Sequence, residues 1–162
     1  LKMSFKDLKD EAKDSDGSPE VKSRMRRLQM AASQKASERA QAVDDVKDAS
    51  VIITNPTHFA IALRYAPELR DAPYIIAMGK GPMALKIIDE GKKHQKSVVR
   101  SPLLARALFF TGNIGQDVSD QLFSAVASVL AYVLQIERGL EANLTDPELP
   151  DDLMYDEFGQ KL

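Results

Sequence analysis

The chain has 162 residues, of which 44% are hydrophobic, so it can bury one core and carry extensions. Its 22 Lys and Arg residues nearly balance its 24 Asp and Glu residues, which excludes the strongly basic composition of a general nucleic-acid-binding protein. It contains no cysteine and two separated histidines, so we expect no disulfide, no metal and no cofactor. It begins with Leu rather than Met and has no signal-peptide pattern, so we expect it to be part of a larger protein.

Residues 1–48 are predicted to form a linker that is largely helical from residue 19. Ser18 is a good N-cap residue, and Pro19 suits the first helical position. The next stretch is rich in Ala, Gln, Arg and Lys, which favour helix. Its apolar stripe is limited to Val21, Met25 and Leu28. Such a helix buries little, and its basic side chains fit either simple solvation or a membrane-surface role.

Residues 49–138 are predicted to form a compact α/β domain, a small four-stranded sheet surrounded by about four helices. Short apolar runs predict strands at 51–54, 59–65, 74–78 and 97–100. Helices are predicted from Pro82 to Gly91–His94, from Ser101-Pro102 to Phe110, and from about Ser119 to Arg138.

The last predicted helix and the segment after it differ in character. The helix is almost entirely apolar, but it carries one polar stripe, formed by Gln121, Ser124, Ser128 and Gln135. The stripe favours a helix that packs on a sheet over one that spans a membrane. Residues 139–162 carry seven acidic residues against one lysine, together with two prolines. We predict an acidic, disordered tail there.

The tetrapeptide Asn55-Pro56-Thr57-His58, between the first two predicted strands, carries the most distinctive chemistry. Pro56 has no backbone N–H, so the usual attack of the next amide on an Asn side chain cannot occur. The Asn55 side-chain nitrogen can instead attack its own main-chain carbonyl and release Pro56 as a new N-terminus. Thr57 and His58 would orient the Asn55 amide, and His58 or water would protonate the leaving amine. We hypothesise that nearby backbone N–H groups stabilise the oxyanion.

Two other interpretations stay open on the residues alone. Asn-Pro pairs are common in turns, so Asn55 and Pro56 also fit a docking domain that does not cleave itself. Residues 79–84 fit the loose dinucleotide pattern G-x-G-x-x-A. That pattern needs an acidic residue roughly 20 positions later, where the next predicted strand ends in Arg100. We therefore favour a strand-to-helix turn at Gly79 and Gly81.

Several segments together resemble the FlhB/YscU family of type III export switch proteins. The segment GSPEVKSRMR (17–26) resembles the family's linker, and NPTHFA (55–60) resembles its self-cleaving element. The segments LARAL (104–108) and QLFSAVA (121–127) resemble its downstream helices, and the resemblance runs in order through about residues 1–138. The segments IALRY (61–65) and GQDV (115–118) look more like the flagellar branch than the virulence branch.

The resemblance implies a cytoplasmic domain of a protein whose N-terminal transmembrane helices lie outside this chain, at the export gate on the cytoplasmic face of the bacterial inner membrane. It implies one self-cleavage between Asn55 and Pro56, and a switch of export from rod and hook proteins to filament proteins. The implied partners are other membrane and cytoplasmic export components, a hook-length control protein and the exported subunits, with no nucleic acid. A virulence-type secretion switch is the alternative within the family.

The resemblance also implies a small apolar patch that reads export signals. Its residues are Ala72 and Pro73 before the third strand, and Ala127 and Leu130 on the last helix. Ala127 and Leu130 fit a place in the core equally well. A bulky charged residue at position 72 is predicted to weaken hook-type export without unfolding the domain.

Overall fold

The structure is a computed structural model that describes residues 18–56 and 58–162. The chain divides into two units, residues 1–40 and 41–162. Helix α1, Pro19–Asp45, begins at the predicted residue, and its side chains from 22 to 41 are exposed. Its last turn belongs to the second unit, where Ala42 is buried. The predicted linker residues 1–17 lie outside the described residues.

A mixed four-stranded sheet forms the centre of the second unit. The strands are β1 Val51–Asn55, β2 Phe59–Arg64, β3 Tyr74–Lys80 and β4 Val98–Arg100. Their order is β3-β2-β1-β4, with β1 antiparallel to β2, β2 antiparallel to β3, and β1 parallel to β4. Every residue of β1 is buried because this strand lies inside the sheet with packing on both faces. The predicted α/β fold is confirmed.

Helices cover the two faces of the sheet. They are α2 Pro82–Lys93, α3 Pro102–Thr111 and α4 Phe123–Glu137, with short 3-10 turns at Val46–Asp48, Asp120–Leu122 and Asp151–Leu153. Successive strand residues point to opposite faces, so Val51 and Ile53 join a core cluster with α3 and α4, while Ile52 joins one with α2.

The polar stripe predicted on α4 is exposed, and Val126, Val129 and Val133 are buried on its other side. The helix begins at Phe123, after a 3-10 turn, and not at the predicted Ser119. Within the described ranges, no helix combines the length and apolar character that crossing a membrane requires.

Helix α2 ends at Lys93, within the predicted Gly91–His94 stretch, but Gly91 itself does not end it. It lies inside the helix and is buried, and a Cβ added there would meet Cδ1 of Ile52. The chain instead turns after His94, at Gln95, whose φ is 59°. Gly91 therefore permits close approach of α2 to β1. Sequence signals for helix ends do not indicate such a packing role.

The acidic tail differs most from its prediction. Leu149 and Leu153 are each only 7% exposed and belong to the core cluster on the α3 and α4 face. Arg106 Nε donates to the Tyr155 carbonyl oxygen at 2.7 Å. Ser101 occupies the N-cap position of α3, but its hydroxyl donates to the Asp146 carboxylate at 3.0 Å and makes no cap bond. The prediction from net charge overlooked Leu149 and Leu153, which here pack the tail against the core.

Candidate functional site

The Asn-Pro bond lies in a tight turn between the two central strands. Asn55 is the last residue of β1 and pairs with Phe59, the first residue of β2. The backbone N–H of His58 donates to the Asn55 carbonyl oxygen at 3.0 Å, which closes a four-residue β-turn. Pro56 occupies the second position of this turn, where its fixed φ is favourable. Thr57, predicted to help orient the amide, lies outside the described residues.

The oxygen that accepts the His58 N–H is the oxygen of the bond that would be cut. Attack on the Asn55 carbonyl carbon would place a negative charge on that oxygen, and a donor at 3.0 Å is already directed at it. A hydrogen bond to an ionised acceptor is roughly twice as strong as one between neutral groups. The His58 backbone N–H is therefore a candidate for the oxyanion donor that the sequence could not identify.

Two neighbouring elements hold the turn from either side. On the β1 side, the Thr54 carbonyl accepts the Ser101 N–H at 2.9 Å, and the Thr54 hydroxyl donates to the Val99 carbonyl at 3.5 Å. On the β2 side, the His58 carbonyl accepts the Gly81 N–H at 2.9 Å. Asn55 itself is 9% exposed. Thr54 and His58, which flank the turn, are thus held by hydrogen bonds to neighbouring elements.

The His58 side chain points into a different environment from its backbone. Its imidazole is 54% exposed, and Nε2 lies 3.5 Å from an Oε2 of Glu157 in the tail. The pair is an ion pair only when the imidazole is protonated, and at this exposure it contributes little to stability. The predicted role of His58 as proton donor to the leaving amine stays a prediction. No sequence pattern pointed to Glu157, because the tail was not expected to reach the turn.

The predicted recognition patch is only partly assembled. Pro73, Ala127 and Leu130 line one groove of about 640 Å³ between the ends of the strands and α4, and Ala127 is exposed rather than part of the core. Sequence reasoning missed other residues of the groove, notably Tyr65, Phe123, Lys96 and Leu134. Ala72 is buried and lines a separate depression beside Arg70 and Asp117. A bulky charge at Ala72 is therefore expected to disturb packing, contrary to the sequence prediction.

The strand-to-helix turn predicted at Gly79 and Gly81 is confined to Gly81, because Gly79 and Lys80 still pair within β3. The space beside Gly79 is filled by the Met83 side chain, so a Cβ there would collide with it. A dinucleotide loop directs its free N–H groups at a phosphate. Here the Gly81 N–H is directed at the His58 carbonyl. This arrangement supports the strand-to-helix turn that the sequence favoured.

Solved structures define the class of domain to which this fold belongs. The cytoplasmic domain of FlhB from Shewanella putrefaciens is 35% identical, with a TM-score of 0.67 over 72% of this chain and 95% of that one. A mutated EscU C-terminal domain is 31% identical, with a TM-score of 0.54 over 56% of this chain and 90% of that one. The fold is that of the FlhB and EscU cytoplasmic domains.

Sequence comparison identifies the family. The profile of the FlhB HrpN YscU SpaS family matches residues 1–133. The flagellar biosynthetic protein FlhB of Salmonella typhimurium is 42% identical over 153 residues, which are 94% of this chain and 39% of the relative. FlhB of Bacillus subtilis is 42% identical over 138 residues, 85% of this chain and 37% of the relative. The chain belongs to the FlhB HrpN YscU SpaS family, and it spans 37–39% of the length of these curated relatives.

Proposed function

We propose that this chain is the cytoplasmic part of a flagellar export component and that it cleaves itself once, between Asn55 and Pro56. The observation that carries the proposal is the His58 N–H, 3.0 Å from the carbonyl oxygen of the bond to be cut. Family membership and the Asn-Pro turn support the same reading. A docking domain with an inert turn would contain the same proline and the same hydrogen bond, so the observed presence or absence of cleavage distinguishes the two functions.

The proposed step is an intramolecular acyl transfer that needs no cofactor. Asn55 Nδ2 bonds to the Asn55 main-chain carbon, and the carbon–nitrogen bond to Pro56 breaks. One proton leaves Nδ2 and the Pro56 nitrogen gains one, through water or the His58 imidazole. The products are a C-terminal succinimide at Asn55 and a free secondary amine at Pro56. Intramolecular attack by a group held beside its target is favoured by proximity, and the His58 N–H stabilises the oxyanion between the two events.

The cut should leave the domain assembled. Asn55 ends β1, so the pairing of β1 with β2 and with β4 does not depend on the bond being cut. Four of the five β1 residues are 3% exposed or less, which keeps the strand in the core. Cleavage would then change only the turn surface. A permanent local change suits a single switch from rod and hook export to filament export at the cytoplasmic face of the bacterial inner membrane.

Comparing denaturing and native measurements tests this proposal. After prolonged incubation, a denaturing gel with intact-mass analysis is expected to give two pieces that meet between Asn55 and Pro56. Size exclusion without denaturant is expected to give one species, because β1 stays in the sheet. A single full-length mass after incubation would contradict self-cleavage and leave the docking domain as the better function.

A second proposed role is docking of export signals in the groove lined by Pro73, Ala127 and Leu130. The partners would be exported rod, hook and filament subunits, with the hook-length control protein and other export components acting on the same domain. The observation in its favour is a largely apolar groove of about 640 Å³, within the volume range of small-ligand pockets.

Replacing Ala127 by Glu is expected to weaken binding of an apolar export-signal peptide from a rod or hook subunit about tenfold or more. The reason is that the bound peptide would remove water from the new carboxylate. Ala127 is exposed on α4, so the variant should fold. Ser128→Glu adds the same charge at the next exposed position, which does not line the groove, and should bind normally. Fluorescence anisotropy measures both affinities, and equal affinities for the two variants would argue against docking in this groove.

A further inference from the structure

We propose that Gly81 is a positioning residue for the self-cleavage described above, on which this inference rests. Its N–H holds the His58 carbonyl at 2.9 Å, and His58 in turn directs its own N–H at the Asn55 carbonyl oxygen. The first bond therefore fixes the residue that supplies the second. Gly81 touches no reacting atom and acts through His58.

Gly81 is positioned to restrain the backbone of His58. Phe59 pairs with Lys80, the last residue of β3, so the Gly81–His58 bond extends the β2–β3 ladder one step past the strand. The His58 imidazole is 54% exposed, so side-chain packing does little to hold this residue. Its two backbone hydrogen bonds, to Gly81 and Asn55, supply the restraint.

The backbone conformation of Gly81 makes the residue type matter. Its φ is 58° and its ψ is −128°, a combination that L-residues with a Cβ adopt at a cost. A Cβ at Gly81 would meet no atom within 4 Å, so a substitution acts on the backbone rather than through a clash. Pro82 follows as the first residue of α2 and restricts the alternatives further. An alanine at position 81 would turn the peptide toward negative φ and move its N–H away from His58.

The fold offers a matched control at Gly115. This glycine also has a positive φ, 87°, and open space where a Cβ would go. Its N–H donates to the Ile75 carbonyl at 2.7 Å, at the end of β3 away from the cleavage turn. Gly115→Ala therefore introduces comparable backbone strain in the same domain without touching the hydrogen bonds of His58.

Pulse–chase synthesis followed by a denaturing gel measures the rate at which the full-length chain disappears. We expect Gly81→Ala to slow cleavage about tenfold or more, while Gly115→Ala cleaves at the wild-type rate. Thermal unfolding of both variants in an Asn55→Ala background shows whether they lose similar stability. If the wild type cleaves and a folded Gly81→Ala variant cleaves at the same rate, the role of Gly81 is overturned. If the wild-type chain stays intact, the proposed function is overturned instead.

Hydrogen exchange on the Asn55→Ala chain tests the same inference without altering Gly81. If the two hydrogen bonds form one unit, the backbone amides of Gly81 and His58 should exchange slowly and at similar rates. Fast exchange at Gly81 beside slow exchange at His58 would show that His58 is held without Gly81 and would overturn the inference.

Discussion

Replacing Asn55 by Ala is expected to leave the chain as one polypeptide however long it is incubated, because the change removes the only atom placed to attack that carbonyl from within the residue. The turn should survive, since the His58 N–H contacts the backbone oxygen of residue 55 and not its side chain. Intact-mass analysis of the purified variant measures the result. Asn113→Ala alters another asparagine, exposed and outside the hairpin, and should cleave like the wild type.

Pro56→Ala distinguishes cleavage by the Asn55 side chain from hydrolysis of the same bond by any other route. Alanine restores a backbone N–H at position 56, so the Asn55 side chain becomes open to attack by that nitrogen. The variant is expected to stay uncut and to gain about 1 Da as Asn55 deamidates, a route that proline closes. Two fragments in both the Asn55→Ala and Pro56→Ala samples would point to a contaminating protease and contradict self-cleavage.

The sequence predicted the sheet well because its strands are short, almost entirely apolar and separated by turn residues. The burial of residues 51–54 follows directly from such a run, whereas the burial of the polar Asn55 at the end of β1 does not. The sequence pattern was a poor guide where the role of a residue depends on a neighbour that is distant in sequence. Gly91 resembles a helix end in sequence, yet it is buried in α2 because Ile52 lies against it.

The chemistry of the candidate site was predictable only in part. Asn55 and Pro56 carry their reactivity in their covalent structure, so the sequence alone indicates a possible cut. The proposed oxyanion donor is a backbone N–H, and every residue except proline has one. Its selection depends on the turn that brings His58 back to Asn55, and on the contact from Gly81, which follows β3 more than 20 residues further along the chain. No residue pattern encodes that arrangement directly.

The tail was mispredicted because its charge was weighed and its leucines were not. Residues 139–162 carry most of their acidic side chains at exposed positions, while Leu149 and Leu153 are turned toward the core. The 3-10 turn Asp151–Leu153 brings the second leucine back toward α3, where the Phe110 and Tyr155 rings also meet, with centroids 5.6 Å apart. We therefore expect the burial of Leu149 and Leu153 to make the tail unfold together with the rest of the domain.

Replacing Leu149 and Leu153 together by Ala is expected to lower the free energy of unfolding by about 3–6 kcal/mol, since each buried leucine contributes roughly 1.5–3 kcal/mol. Urea denaturation in an Asn55→Ala background measures the loss on an uncut chain. Phe158→Ala and Leu162→Ala, at side chains 79% and 71% exposed, should change stability by less than about 0.5 kcal/mol. An unchanged urea midpoint in the double variant would mean that the tail does not pack as part of the core, and that the nearby Glu157 has no fixed place beside the cleavage turn.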